Sequence, residues 1–353
     1  VNKTYSLYKI LDRYGFSTKE QKAALENLMH QASILTPIQS LQDKFQTKHT
    51  FDELVYDALE FVKLTQKHFT IRSGHQERWE IKPSNWMTKN QSENLLLLKT
   101  LGMTAAIKPK AESTDALCIL GAMMKRIEDR IDYAALLLEK PLKTDNLFLL
   151  AGERYVTVNI DGSEEELNKI ANFYQLTDLS KLTETHLIQQ AYKKSALYNK
   201  IKTFVIDTPK RDLPRPTTQT TTIELIEWLK EHNDIKTITF VSNQPHVKYQ
   251  EAVITEILRN QNSTLNIEVV GSDLSDANIQ PAIEALGSFI FAITPNVLIQ
   301  SGEKISNPEL IELFKELYAK QPLVYQNLEN YLFNQADDIQ LIDSNIPFLE
   351  TEL

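Results

Sequence analysis

Apolar residues recur at helical spacing up to about residue 70, then give way beyond about residue 113 to short, nearly unbroken apolar runs. Leu7, Ile10, Leu11 and Tyr14 lie on one helical stripe, and Phe51, Leu54, Val55, Ala58, Leu59 and Val62 form another. Ser17 with Glu20, and Thr50 with Glu53, have the spacing of capping boxes that open such helices. The stretch 71–90 holds Gly74, Trp79, Pro83 and Trp86 without a period and reads as an irregular connection, followed by a short helix over 95–101 that ends at Gly102. The later runs fall at 115–120, 147–151, 203–207, 237–242 and 267–271. Continuous apolar character over so few residues is expected of strands covered on both faces. Helical segments at 124–140, 164–198, 219–233, 247–260 and 279–287 separate or follow them, long enough for right-handed crossovers between parallel neighbours. The expected fold class is α/β, a Rossmann-like open parallel sheet with helices on both faces over 111–300. A helical region or cap over 1–110 precedes it, and closing helices with a C-terminal tail follow over 301–353. The run 288–293 is apolar enough to add a sixth strand.

Composition narrows the partners. With 42% hydrophobic and 24% charged residues the 353-residue chain has an ordinary globular make-up, and its net charge of −9 argues against nucleic acid as a partner. The sole cysteine, Cys118, lies in an apolar run and is expected to be a buried thiol. No apolar window reaches the roughly 18 residues of a membrane-spanning helix, and the start lacks the apolar core of a signal peptide. A soluble protein of the bacterial cytoplasm is expected from this and from the richness in Asn, Gln, Lys and Ile; the missing initiator Met leaves an upstream targeting segment, and so export, open.

In open parallel sheets ligands bind beyond the carboxyl ends of the strands, so the residues that follow each apolar run are the candidates. Gly121 and Gly152 would admit a ligand to the backbone or simply make turns. Glu153 and Arg154 read either as an acid/base and an anion clamp or as a structural ion pair. Asp207 would orient a ribose or a metal-bound water, or form a turn. Arg215 opens a stretch with Thr217 and Thr220, whose hydroxyls and helix-start amides suit phosphate or carboxylate, although N-capping accounts for some of these threonines. Ser242 and Asn243 precede His246, which either caps a helix or serves as donor, acid or base. Neither a dinucleotide glycine fingerprint nor a Walker A sequence occurs, Ser242 and His246 lack nucleophile-elbow glycines, and the seven histidines show no metal-ligand spacing.

Over about 113–270 these loops resemble a bacterial family of unknown function that includes the SanA, YdcF and ElyC proteins. Leu120-Gly121 before a helix bearing Arg126 and Arg130 is similar to the family's first loop, and Leu150-Ala151-Gly152-Glu153 to its second. Glu184 in Leu-Thr-Glu-Thr-His, the threonines of 217–222, and Val241-Ser242-Asn243-Gln244-Pro245-His246 match in order. The chain departs from the pattern at Tyr249, where the family usually has arginine, and at Glu153, where it has a second glycine. The resemblance implies a Rossmann-type domain, with S-adenosylmethionine binding in some members and envelope-related roles in others. Residues and resemblance together lead to two expectations. One is a site for a small anionic or nucleotide-like ligand, with S-adenosylmethionine or a nucleotide as cofactor, in a transferase or hydrolase whose proton is moved by Glu153 or His246. The other is a non-catalytic interaction protein that binds a protein partner through its N-terminal helices.

Overall fold

The computed structural model describes residues 3–70, 82–139, 142–275 and 278–333, so Gly74, Trp79 and the tail beyond 333 lie outside the described residues. The first part forms α1 (Leu7–Ile10), α2 (Lys19–Gln31), α3 (Leu41–Lys44), α4 (Phe51–Phe69), α5 (Asn85–Lys89) and α6 (Gln91–Thr100). Next come β1 (Ala116–Leu120), α7 (Met124–Glu139), β2 (Asn146–Gly152), α8 (Glu164–Phe173) and α9 (Glu184–Lys194). They are followed by β3 (Lys202–Thr208), α10 (Thr218–Leu229), β4 (Thr237–Asn243), α11 (Val247–Asn260) and β5 (Asn266–Ser272). Then α12 (Ile279–Ile299), α13 (Pro308–Tyr318) and α14 (Pro322–Tyr331) complete the order.

The five strands form one parallel sheet in the order β3-β2-β1-β4-β5. Central β1 is buried along its whole length, as its run Ala-Leu-Cys-Ile-Leu requires, whereas the edge strands β3 and β5 carry their Lys, Asn and Glu residues toward solvent. Alternate side chains feed two cores. Leu117, Ile119, Leu147 and Leu149 pack under α7 and α9, while Cys118, Leu120, Phe148 and Phe240 pack under α10 and α11. The chain runs from β1 outward to β3 and then returns to β4 on the other side of β1, so the strand order reverses between β1 and β4. A crevice opens at such a reversal because the connecting loops diverge to opposite sides.

A third core joins the N-terminal helices to α12, α13 and α14. The central member is α12, apolar on nearly every side. By length and composition this 21-residue helix could cross a membrane, yet 78% of its most apolar stretch is buried within the protein. Two sequence expectations are thereby corrected. The 288–293 run is the middle of α12 and not a sixth strand, and a window long and apolar enough for a membrane does occur. A short apolar run has the same composition in a buried strand and in a helix that is buried all round. Gly287 lets α4 approach α12, since a Cβ there would lie 2.6 Å from Thr70 Oγ1 and 3.0 Å from Phe69 Cβ. At the start of α4, Thr50 and Glu53 form the expected capping box; at α2 the box is Thr18 with Gln21, one residue later than Ser17 with Glu20.

Candidate functional site

At the reversal point the ends of β1 and β4 are bound together by one buried cation. Arg130 on α7 donates from Nε to Asn243 Oδ1 at 2.8 Å and from Nη1 to the carbonyls of Leu120 and Gly121 at 2.8 and 2.7 Å. One helical turn earlier, Arg126 Nη1 lies 2.6 Å from His246 Nε2. A guanidinium can only donate, so Nε2 is the acceptor and the proton of a neutral imidazole sits on Nδ1. His246 occupies the N-cap position of α11 without a side-chain capping bond. Its ring is thus turned to Arg126 and not to the helix amides.

The loop after β2 brings a second arginine in. Asp161, fully buried, receives Arg154 as a two-pronged fork at 3.0 and 2.9 Å and also accepts the Thr157 amide at 2.9 Å. Arg154 also donates to the Ala122 carbonyl at 3.0 Å, and its Nε lies 3.9 Å from Glu184 Oε1. The planar fork fixes the guanidinium plane, which a lysine would leave free. Glu184, the first residue of α9, is buried and its own amide donates to the Arg154 carbonyl at 2.8 Å. Burial raises its carboxyl to about 7, against the opposing pull of Arg154 and Arg130. The side chain fits only because residue 121 is glycine: a Cβ there would meet Glu184 Oε1 at 2.6 Å and the Leu150 carbonyl at 2.9 Å.

These groups converge on a cavity of about 560 Å³ lined by Arg126, Arg130, Arg154, Arg215, Glu184 and His246, with Thr217, Thr218 and Thr221 from the start of α10. Among the described lining residues, four arginines therefore face one ionisable acid. No family model, no curated protein and no solved structure matches this chain. What the site can do is read from its geometry.

Eight of the residues expected from the sequence line this cavity: Gly121, Arg126, Arg130, Arg154, Glu184, Arg215, Thr217 and His246. Ser242 and Asn243 stand behind it, Asn243 holding Arg130 and Ser242 donating to Gln250. Four others do not join them. The expected convergence of Glu153 with Arg154 and His246 is corrected, because adjacent loop residues point to opposite sides. Glu153 accepts the Lys210 amide at 3.1 Å and the Tyr155 hydroxyl at 2.9 Å, outside the cavity. Those bonds, the Lys210 amide first, hold its carboxyl below the usual range, so it stays ionised where a proton-moving acid is needed. Gly152 is a packing glycine: its missing Cβ would lie 2.4 Å from the Thr208 carbonyl and 2.7 Å from Pro216 Cγ. Asp207 accepts from Thr185 Oγ1 at 2.6 Å, tying β3 to α9. Thr220 is spent on the capping box with Thr217.

Several residues that build or line the site carried no signal of their own in sequence. Asp161 lies mid-loop, and Asn278 and Pro281 follow the last strand at a distance; only folding brings them near. Tyr249 and Gln250 were within reach, since they follow His246 by three and four positions and so share its helix face. Among the described residues, no group of three or more His, Cys, Asp or Glu is placed to hold a metal ion.

Proposed function

We propose that the cavity at the reversal point binds a small anionic ligand through a phosphate or similar group, and that the protein is an enzyme of the transferase or hydrolase class acting on it. Arg126, Arg154, Arg215 and the helix-start amides of α10 hold the anion, and Glu184 supplies or takes up the proton. The observation that carries this reading is the convergence of four arginines and a histidine on one cavity whose single acid is poised near neutrality. Preorganised guanidinium groups in a water-poor cleft stabilise charge that develops on a transferring group, and an acid near pH 7 moves a proton with little mismatch. The volume of about 560 Å³ lies in the range of small-molecule sites. The loops that resemble the SanA, YdcF and ElyC proteins are those that furnish Gly121, Glu184 and His246, and we propose membership of that family on the same footing.

Calorimetric titration with pyrophosphate, nucleotides and S-adenosylmethionine tests the reading. Nucleotides are expected to bind more tightly than S-adenosylmethionine, whose sulfonium would face the arginines. His246→Ala, which releases Arg126 from its hydrogen bond, and Arg154→Ala, which removes a guanidinium, are each expected to weaken nucleotide binding by roughly tenfold. Absence of binding across the panel, or binding that neither substitution weakens, would sink it.

A further inference from the structure

The charge in this cavity is divided along the sheet. Because the strands lie in the order β3-β2-β1-β4-β5, each lining residue can be placed by the strand it follows. Arg215 follows β3, Arg154 follows β2, and Arg126 and Arg130 follow β1; Glu184 joins this half, against Gly121 and Arg154. Past β4 the lining changes character. His246, Tyr249 and Gln250 share one face at the start of α11, and Asn278 and Pro281 come from the chain after β5. Every charged side chain among the described lining residues therefore belongs to the β1 to β3 half, while the β4 to β5 half offers rings and carboxamides. With strands about 4.8 Å apart, the strands that feed the two ends are roughly 19 Å apart, a breadth well beyond one phosphate.

We infer that the site takes a ligand with two chemically distinct ends, of the nucleoside diphosphate class. Its phosphates lie against the arginines and its base lies against Tyr249, Gln250 and Asn278. The inference rests on the anion-binding reading above and adds the second end. An aromatic ring offers a stacking face for a base, and a carboxamide carries a donor and an acceptor in one plane, the pattern that pairs with a base edge. Gln250 is buried and oriented by its hydrogen bond with Ser242 Oγ, so its amide plane is set in advance. A polyphosphate or dicarboxylate would leave this uncharged wall unused.

The test compares inorganic pyrophosphate with ADP, GDP, CDP and UDP by calorimetry on the full chain. At least one nucleoside diphosphate is expected to bind roughly tenfold or more tightly than pyrophosphate, the ratio that about 1.4 kcal/mol of stacking supplies. Tyr249→Ala should reduce that preference to about threefold or less, whereas Arg215→Gln should weaken both ligands by a similar factor. Tyr249 also packs partly against the helical core, so Tyr249→Leu, which keeps apolar bulk and removes the ring, is measured beside it with a thermal melt. Pyrophosphate binding with no preference for any nucleoside diphosphate overturns the two-ended site and leaves the anion site standing. A preference that survives in both Tyr249 variants does the same. Failure of pyrophosphate and all four nucleotides to bind overturns both readings.

Discussion

At Glu184 two forces oppose each other: burial favours the neutral acid, while Arg154 and Arg130 favour the carboxylate. Burial prevails, and the folded value of about 7 stands above the ordinary glutamate value of 4.5. The unfolded chain therefore gives up this proton first, so the contribution of Glu184 to stability is full below about 4.5 and declines as pH rises to about 7. Glu184→Gln removes that decline. Between pH 5 and pH 8 the wild type is expected to lose stability relative to the variant by on the order of 2 kcal/mol, read from paired denaturant titrations. Parallel curves for the two proteins would contradict the assignment. Asp161→Asn acts on the arginine side. It strips Arg154 of its fork partner, and breaking a buried pair of this kind is expected to destabilise the fold by about 3 kcal/mol and to lower anion affinity. Chemical denaturation and titration of the same variant check both effects. Arg154 and His246 were legible in the sequence because each follows a strand, whereas Glu184 was singled out only by the resemblance of Leu-Thr-Glu-Thr-His to the family's loop. That Arg154 and not Glu153 faces the cavity was not legible, because which of two loop neighbours turns inward is decided by the Asp161 fork and the Lys210 amide.

At the scale of elements, the start of α10 and the end of β2 frame the cavity. Thr217 caps α10 through the Thr220 amide, and Thr217→Ala is expected to cost about 1 kcal/mol, measurable as a lower urea midpoint at unchanged slope. Gly152→Ala is expected to be more damaging, by about 1 to 3 kcal/mol, because the new methyl would press on the Thr208 backbone and force β2 from β3. A variant as stable as the wild type would show that the two strands have slack there. The strands were readable nearly to the residue; β1, β2 and β4 leave unbroken apolar runs because both faces are covered, whereas the edge strand β3, read as covered in the same way, is exposed at Lys202, Val205 and Asp207. The extent of α12 was not, because full burial erases the polar face that marks a helix.

The whole molecule is held by three cores, and α11 belongs to two of them. Its Val247, Ile254 and Ile257 face the sheet, while Ala252 and Val253 face the helical core built from both ends of the chain. The ring of Trp86 lies 5.9 Å from that of Phe69 of α4, tilted against it, so this tryptophan packs partly buried against the helical core within the chain. Removing residues 3–103 would strip α12 of that cover, and the remaining chain is expected to aggregate or bind a hydrophobic dye strongly. A monomeric, dye-silent fragment would show that the sheet and the C-terminal helices stand alone. Sequence could not reveal this arrangement, because a core shared between the two ends of a chain leaves no local pattern in either. The position of α11 also links the cavity to the helical core, since His246, Tyr249 and Gln250 are carried on the same helix.

Crystals soaked in tungstate, a heavy phosphate mimic, test the arginine cavity as an anion site directly by anomalous scattering. The strongest peak is expected between Arg126, Arg154 and Arg215. A strongest peak elsewhere on the surface, with the cavity empty, would contradict it.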